Sequence, residues 1–350
     1  MMCDKAENPR ENTNKEQQNI CAESLRISEE VPSAAKAKRE TVDEKQSAPS
    51  KMLKFLYCTK FGGLILKLLT ARPISKAAGK YLDSRLSRHK IKGYVKKHKI
   101  DLSLYEKEDY ASFNAFFTRK IRKELRPFCM EKSAFVAPCD GKLSLYKIDG
   151  ECRFNIKGFD YTVASLLKND ALAAEFAGGY CFVFRLCVED YHRYFYFDNA
   201  KKGENVFIKG RLHTVQPVAL GRRRVFSENC REYTVLDTEN FGKAVQCEVG
   251  AMMVGRIVNY HGTAEVKRGE EKGKFEFGGS TIVVLTKQGA MIPDEEFLIN
   301  TAGNKETKVK CGEKIGVAGA GTCAPRENES WCGQATEKGE SSARNKEVRE

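Results

Sequence analysis

The spacing of apolar residues changes at Pro127 and divides the chain into two parts. Before this proline, apolar residues recur at the spacing that is typical of amphipathic helices. The pattern predicts helices over residues 52–69, 72–98 and 113–126. Because proline cannot continue a helix, Pro127 marks the end of the third one.

After Pro127, short apolar or alternating runs are separated by Gly and Asp, which indicates many short strands. The runs, in chain order, are AFVAP, KLSLYKI, CFVFRL, YFYFD, REYTVLD, AVQCEVGAMMVGRIV, FEFGG and STIVVLT. One segment, residues 162–176, has the apolar spacing of a helix instead. This part of the chain is therefore predicted to be β-rich with few helices.

The segment of residues 52–69 is apolar enough to bind a membrane but too charged to cross one. It contains three lysines and a Gly62-Gly63 pair that is expected to break the helix. A lipid-spanning helix would not tolerate lysines at this spacing, whereas a helix lying in the membrane interface can direct them to the headgroups. The alternative is an ordinary amphipathic helix packed on the body of the protein.

Positive charge is concentrated in one segment. The 350 residues include 60 Lys+Arg and 47 Asp+Glu, for a formal net charge of +13. Residues 51–127 alone hold 20 Lys/Arg and 6 Asp/Glu, a net of +14, whereas residues 1–50 have a net charge of −2. This distribution predicts an anionic partner, which could be nucleic acid, a membrane surface or a phosphate-bearing substrate.

Composition predicts a tail at each end of the chain. Residues 1–50 contain no Phe, Tyr or Trp, so they cannot bury enough apolar surface to offset the entropy of ordering. We predict disordered tails over 1–50 and 319–350, a basic helical region over 51–127 and a β-rich domain over 128–318. The predicted fold class is α+β, with a β-rich, sandwich-like body preceded by the basic helical region.

Residues that bind metals or form disulfides are not grouped in the sequence. The thirteen Cys are scattered without a CxxC pair, which argues against a zinc ribbon or a disulfide scaffold and favours a reducing compartment. None of the five His has another His or a Cys at ligand spacing, so no metal site is predicted. His192 and His213 lie beside strand-like runs, where a lone His is more often structural than catalytic.

Two short motifs have ordinary explanations when each is taken alone. The Gly-Gly-Ser-Thr sequence at 278–281 lies between strand-like runs, where glycines relax the backbone at a bulge or tight turn. The Pro-Cys-Asp-Gly sequence at 138–141 is a turn signal. Neither motif alone identifies an enzyme.

Together with further segments, these motifs occur in a specific order. The segments are FNAFFTRKIRKELRPF, APCDGKL, DYHRYFYFDN, GRLHTVQPVAL, REYTVLDTENFG, CEVGAMMVG and KGKFEFGGSTIVVL. In this order they resemble the phosphatidylserine decarboxylases, in the form with a Gly-Gly-Ser-Thr processing site that is common in clostridial-type enzymes. The resemblance extends over residues 53–316.

The resemblance implies a proenzyme that cuts itself and makes its own cofactor, without a metal or an added organic cofactor. The cut would lie between Gly279 and Ser280 and give a two-chain enzyme of residues 1–279 and 280–350. Ser280 would become a covalent pyruvoyl group. This group would form a Schiff base with phosphatidylserine and accept electrons as CO₂ leaves, which gives phosphatidylethanolamine.

The resemblance also implies a Ser-His-Asp arrangement for the cut. Ser280 is the nucleophile, a His deprotonates it, and Asp140 orients that His. The family's His-Arg-x-His motif reads HRYF here, with Phe195 in place of the second His. We assign the processing base to His192, which would also donate the proton in turnover, and keep His213 as the reserve candidate.

The substrate that the resemblance implies narrows the anionic partner to a membrane. Phosphatidylserine is negatively charged and anchored in the bilayer, so residues 51–127 are expected to dock on an anionic surface at about 1 kcal/mol per basic residue. No nucleic-acid partner is expected, because the aromatic residues of this segment have the spacing of a packed helix. The expected location is peripheral, at the cytoplasmic face of the cell membrane.

Two alternatives remain open from the sequence. The first is decarboxylation of a related serine phospholipid. The second is an inactive homologue that binds anionic membranes or nucleic acid, and the replacement at Phe195 gives it some support.

Overall fold

The computed structural model describes residues 39–43, 51–70, 72–106, 109–156, 158–220, 222–251, 256–276 and 280–320. The chain divides into a unit of residues 1–40 and a unit of residues 41–350, and all elements below belong to the second unit. Most of the two predicted tails lies outside the described residues.

The segment before Pro127 is helical, as predicted. No helix in the described ranges is long and apolar enough to cross a membrane. The helices are α1 (Lys51–Cys58), α2 (Lys60–Leu69), α3 (Arg72–Asp83), α4 (Lys90–His98) and α5 (Phe113–Phe117), with 3₁₀ helices at Arg85–His89, Leu102–Leu104 and Lys123–Leu125.

The break in the first apolar segment lies at Thr59 and not at the Gly62-Gly63 pair. The Thr59 hydroxyl accepts a hydrogen bond from Gly62 N at 2.9 Å and so caps the start of α2. A Cβ atom on Gly62 would lie 2.1 Å from the carbonyl oxygen of Phe55. The glycine therefore allows α1 and α2 to approach closely, instead of ending a helix.

Helix α5 is much shorter than the sequence predicts. It ends at Phe117, and beyond it Ile121 forms a backbone bridge with Tyr105. Arg119 is buried, with its guanidinium 4.3 Å from the centre of the Tyr105 ring. These tertiary contacts override the helical spacing, so the prediction is wrong for the residues after Phe117.

The part of the chain after Pro127 is β-rich, as predicted. The helix predicted over 162–176 is two short helices, because Lys168 adopts φ 53° between them. The helices of this part are α6 (Val163–Leu167), α7 (Asp170–Ala174), α8 (Pro217–Leu220), α9 (Val225–Glu228) and α10 (Glu295–Ala302). The strands are β1 (Thr41–Asp43), β2 (Ala134–Val136), β3 (Gly141–Lys147), β4 (Arg153–Ile156), β5 (Phe159–Thr162), β6 (Tyr180–Leu186), β7 (Arg193–Phe195), β8 (Ala200–Ile208), β9 (Arg231–Thr238), β10 (Gly242–Val249), β11 (Ile257–Asn259), β12 (Ala264–Val266), β13 (Glu271–Phe275), β14 (Ser280–Thr286), β15 (Met291–Pro293), β16 (Lys305–Val309) and β17 (Lys314–Ala318).

A nine-stranded sheet organises this part of the chain, in the order β1-β16-β3-β6-β14-β10-β9-β8-β12. Two three-stranded sheets, β11-β13-β7 and β15-β17-β2, and the hairpin β4-β5 complete the strands. Strand β1 corrects the tail prediction, because residues 41–43 pair with β16. The outer edge of β16 offers backbone hydrogen-bonding groups that even a short polar segment can satisfy.

The nine-stranded sheet has an apolar core on each face. One core lies against helices, including α1, α2, α6 and α9, and the other against the two three-stranded sheets. The second core makes the body sandwich-like, which confirms the predicted α+β fold class.

A third, smaller cluster lies among the helices before Pro127. Leu82 of α3 packs with Phe113, Phe116 and Phe117 of α5, against partly buried side chains of α4. Through Phe117 this cluster extends to the β-rich body, where that ring stacks on a histidine.

Candidate active site

Ser280 is the first residue of β14, a central strand of the nine-stranded sheet. It pairs with Leu186, the last residue of β6, and it is 1% exposed. Gly279, on the other side of the predicted cut, lies outside the described residues, as does Gly278. Ser280, the predicted nucleophile, thus lies at the end of a buried strand, where the chain enters the sheet.

His192 is the residue that the structure brings to Ser280. It lies in the loop between β6 and β7, and its Nδ1 is 3.3 Å from Ser280 Oγ. Its Nε2 is 2.9 Å from the carbonyl oxygen of Cys187 in the same loop. Because a carbonyl oxygen only accepts, Nε2 carries the proton, and the lone pair of Nδ1 faces the Ser280 hydroxyl.

The surroundings of His192 keep its imidazole neutral. The ring is 1% exposed and stacks on Phe117, with centroids 4.1 Å apart and an interplanar angle of 29°. Burial, and then the positive charge of Arg119, lower the pKa of His192 to about 3. A neutral imidazole can act directly as the base of self-cleavage. To donate a proton in turnover, the second role that the sequence suggested, it would first have to take one up.

Asp140 lies just before β3 and has other partners than His192. Its carboxylate accepts hydrogen bonds from Arg126 Nε at 2.8 Å, from Arg126 Nη2 at 2.6 Å, and from Cys311 N at 2.9 Å. Within the described ranges, the atom that orients His192 is the Cys187 carbonyl oxygen and not this carboxylate. The catalytic role of Asp140 stays a prediction.

His213, the reserve base, lies in a different environment. Its Nδ1 is 3.3 Å from the Tyr57 hydroxyl of α1, and its Nε2 is 3.5 Å from Glu228 of α9. Burial lowers its pKa to about 4. Its contacts join helix α1 to the body, and none of the contacts in the described structure joins it to Ser280.

Phe195, which replaces the family's second His, packs on other aromatic rings. Its ring lies 5.5 Å from that of Phe128 and 6.3 Å from that of Tyr191. The position therefore contributes to apolar packing at the end of β7, beside the loop that holds His192.

Sequence reasoning missed four contributors to this site. Phe117 and Arg126 lie in the FNAFFTRKIRKELRPF segment, whose spacing indicates a packing helix. The backbone groups of Cys187 and Cys311 have no signature in the sequence, because any residue supplies a carbonyl or an amide. The one available signal was that the family's first segment contains both Phe117 and Arg126.

A surface cavity of about 590 Å³ opens beside Asp140. Arg126 and Cys311, the two residues that bind the Asp140 carboxylate, belong to its wall together with Lys310. In the part of the chain that the structure describes, no group of three or more His, Cys, Asp or Glu side chains is arranged to hold a metal ion.

Comparison with known proteins supports the resemblance that the sequence motifs indicated. The family model of phosphatidylserine decarboxylase matches residues 113–317. The chain is 48% identical over 265 residues to phosphatidylserine decarboxylase proenzyme 2 of Clostridium acetobutylicum, an alignment that covers 75% of this chain and 91% of that protein. It is 40% identical over 285 residues to the phosphatidylserine decarboxylase proenzyme of Ruminiclostridium cellulolyticum, covering 80% and 95% of the two chains.

A third relative, the phosphatidylserine decarboxylase proenzyme of Clostridium botulinum, is 37% identical over 286 residues, which is 80% of this chain and 97% of that protein. The chain belongs to the phosphatidylserine decarboxylase family. The resemblance inferred from the sequence motifs is thereby confirmed.

Proposed function

We propose that this protein is a self-cleaving proenzyme that decarboxylates phosphatidylserine to phosphatidylethanolamine. The observation that carries the proposal is the contact between Ser280 Oγ and the unprotonated Nδ1 of His192 inside the protein. A serine hydroxyl beside a neutral, oriented imidazole is the arrangement that activates a serine nucleophile. The identity of the substrate is inferred from membership of the family.

The chain's own residues account for each step of the cut. His192 Nδ1 takes the proton of Ser280 Oγ, and Oγ attacks the carbonyl carbon of Gly279. The peptide bond to Ser280 N breaks as an ester to Oγ forms, and His192 returns its proton to that nitrogen. The neutral His192 then takes the Ser280 Cα proton, and the Gly279 carboxylate is expelled from Cβ. Water replaces the nitrogen of the resulting dehydroalanine, and ammonia is released.

The residues around Ser280 fit the pyruvoyl group that this sequence of steps would leave. The group would be covalently held at the start of β14, beside His192, whose ring stacks on Phe117. It would supply the electron sink for decarboxylation. The buried position of Ser280 excludes bulk water from this point. Lys310 gives the neighbouring cavity a cationic group that suits an anionic headgroup, whereas Arg126 in the same wall is paired with Asp140.

Helices α1 and α2 support docking on an anionic membrane. They bury Leu56, Tyr57 and Leu66 against the body, and their opposite side is both apolar and basic. Its exposed apolar side chains are Met52, Phe55, Phe61, Leu64 and Leu68, and its lysines are Lys51, Lys54, Lys60 and Lys67. Such a surface can insert apolar groups while its lysines bind lipid headgroups. This would bring the enzyme to the cytoplasmic face of a membrane that contains its substrate.

The proposal is tested by the intact mass of the purified protein. We expect two chains, residues 1–279 and a smaller chain from 280 to 350 whose first residue has the mass of a pyruvoyl group. We also expect release of CO₂ from phosphatidylserine in mixed detergent micelles. A single uncut chain of 39.4 kDa without decarboxylase activity would overturn the proposal.

Membrane docking is tested separately by vesicle sedimentation. The triple variant Phe61→Ser/Leu64→Ser/Leu68→Ser should bind less to vesicles of phosphatidylcholine with phosphatidylserine, and yet be cut normally. The control is Met130→Ser, which removes an exposed apolar side chain elsewhere. Equal binding by the triple variant and the parent would refute docking through these helices.

A further inference from the structure

A buried ion pair joins the nine-stranded sheet to the small sheet β11-β13-β7. Lys272 Nζ of β13 donates hydrogen bonds to Glu248 Oε2 of β10 and to Asn259 Oδ1 of β11, both at 2.8 Å. The side chains of Lys272 and Glu248 are both 0% exposed. The pair is therefore a cross-link between two sheets that has no contact with solvent.

Asn259 connects this ion pair to the strand that comes directly after His192. Its Oδ1 accepts a hydrogen bond from the Tyr194 hydroxyl of β7 at 3.2 Å, and its Nδ2 donates to Glu232 Oε1 at 2.7 Å. The backbone of β13 also holds the histidine, since Phe275 N donates to the His192 carbonyl oxygen at 2.9 Å. The small sheet thus fixes the backbone of His192.

Glu248 and Ser280 lie on the same face of the nine-stranded sheet. Glu248 of β10 pairs directly with Ile282 of β14, and directly opposed residues share a face. Ser280 is two positions before Ile282 in the same strand, so its side chain is also on that face. The ion pair anchors the small sheet close to the point where His192 contacts Ser280.

Desolvation offsets much of the attraction within a buried ion pair, so stability alone is a weak reason for this one. A better-attested use of buried charged or polar groups is to fix one arrangement of packed elements. Such fixing would matter most after the proposed cut, because residues 276–279 would then be a chain end instead of the link from β13 to β14. Besides its contacts with Cys187 and Phe117, the position of His192 over β14 would then depend on contacts between the two sheets.

We propose that the Glu248–Lys272 pair is a positioning device for turnover, which keeps His192 in place at the start of β14 once the chain has been cut. The inference rests on the proposed self-cleavage. It concerns a later stage than the cut, since β13 and β14 are covalently connected as long as the precursor is intact.

The test compares the effect of removing the pair in cut and in uncut protein. Four full-length proteins are needed: the parent, the double variant Glu248→Gln/Lys272→Met, and each of these with Ser280→Ala, which cannot be cut. Replacing both charges by neutral groups of similar shape leaves no unpaired buried charge. The measurements are the fraction cut, hydrogen exchange over residues 257–276, and kcat and KM for phosphatidylserine in mixed detergent micelles.

We expect the double variant to be cut to the same extent as the parent. Its exchange over residues 257–276 should be faster than that of the parent only in the cut form. Its kcat per cut molecule should fall about tenfold, because misplacement of the reacting groups by a fraction of an ångström slows catalysis, while KM stays unchanged.

Three outcomes would overturn the proposal. The first is an unchanged kcat, together with equal protection from hydrogen exchange in the cut variant and the cut parent. The second is equally faster exchange in the uncut variant, which would show a purely structural role. The third is loss of cutting, which would place the action of the pair before the cut. A parent that is never cut would overturn the proposed function together with this inference.

Two further variants complete the experiment. If the double variant does not fold, Lys272→Met alone replaces it, because burial raises the pKa of the Glu248 carboxyl and the unpaired group can bind a proton. The matched control is Arg268→Met/Asp198→Asn, which removes another buried ion pair, 2.9 Å long, three residues before β13 begins. This control should have the same kcat as the parent. The difference in hydrogen exchange between its cut and uncut forms should also equal that of the parent.

Discussion

His192 and His213 are two buried histidines with similar electrostatics and different neighbours. Burial lowers the pKa of both, to about 3 and about 4, so both are neutral at physiological pH. The Nδ1 of His192 faces the hydroxyl of Ser280, whereas the Nδ1 of His213 faces the hydroxyl of Tyr57. A lowered pKa therefore does not distinguish a catalytic from a structural histidine in this protein.

The two sites differ in the hydroxyl that faces each imidazole. Ser280 carries an aliphatic hydroxyl at the start of a strand, and the peptide bond before it is the proposed point of attack. Tyr57 is a phenol whose oxygen also accepts a hydrogen bond from Thr214 N at 3.1 Å, so it joins α1 to the body. In the proposed mechanism, the imidazole of His192 takes part in the chemistry, whereas that of His213 attaches a helix to the body.

The strongest test of this comparison is to replace each histidine by glutamine. His192→Gln should slow the cut by about 100-fold or more, because a positioned general base contributes at least this much. His213→Gln should be cut at the parent rate. The readout is the fraction of 39.4 kDa chain remaining on a denaturing gel over time after synthesis. Normal cutting of His192→Gln together with slow cutting of His213→Gln would reverse the two assignments.

Acid should destabilise the protein through both histidines. Each has a lower pKa in the folded protein than the value near 6.5 of the unfolded chain, so the unfolded state binds more protons in between. We expect the free energy of unfolding to fall by about 1.4 kcal/mol per pH unit and per histidine as the pH drops below about 6.5. Urea unfolding of the uncut Ser280→Ala protein from pH 7 to pH 4 measures this slope.

The variant His213→Gln should give a shallower slope in the same experiment, as should His192→Gln. Since the two sites are independent, the double variant should lose both contributions. Slopes that do not differ from that of Ser280→Ala would show that these histidines do not control the acid response.

The ring stacked on His192 provides a smaller test. Phe117→Leu keeps an apolar side chain in α5 but removes the stacking, so we expect the cut to slow by about fivefold. The control is Phe116→Leu, which alters the neighbouring buried ring without touching His192. If both variants slow the cut equally, the effect comes from packing of α5 and not from the stacked ring.

The smallest expected effect is at the His213 site. Tyr57→Phe removes the hydroxyl that contacts His213 and Thr214, and should lower the free energy of unfolding by about 1 kcal/mol. Cutting should be unaffected, whereas binding to vesicles that contain phosphatidylserine should weaken as α1 becomes less firmly attached. A slower cut in Tyr57→Phe would indicate that the two histidine sites are coupled.

The central strands β3, β6, β9, β10 and β14 were predicted from the sequence, because a strand that is buried in a sheet has a largely apolar or alternating run of residues. Strands β4, β5, β8, β12, β15, β16 and β17 match none of the predicted runs, since polar residues interrupt them or they are too short to show a pattern. The helix after Phe113 was predicted too long, since helical spacing does not reveal that Arg119 stacks on Tyr105. The order of the motifs singled out Ser280 and His192 as candidates, and the structure brings them into contact. That contact could not be predicted, because it depends on a loop whose shape is set by backbone hydrogen bonds. The partners of Asp140 were not predicted for the same reason.

From the sequence, the whole basic region over residues 51–127 was expected to serve for docking on an anionic surface. The structure shows that its two halves differ. Helices α1 and α2 present exposed apolar and basic side chains, whereas Phe117 and Arg126, from the later part, contact His192 and Asp140. Charge counts along the chain could not separate these halves, because both are rich in Lys and Arg.

The strand order has a consequence for assembly. Of the strands after the proposed cut, β14 lies between β6 and β10, and β16 lies between β1 and β3. The two fragments are therefore interleaved, and neither can leave without breaking backbone ladders on both sides. The uncut precursor folds in a first-order reaction, but the cut protein, once denatured, would have to refold by a second-order encounter of two chains. Because Ser280 and His192 meet only in the folded sheet, the proposed cleavage would come after folding. Each molecule could then fold as a single chain only once, before it is cut.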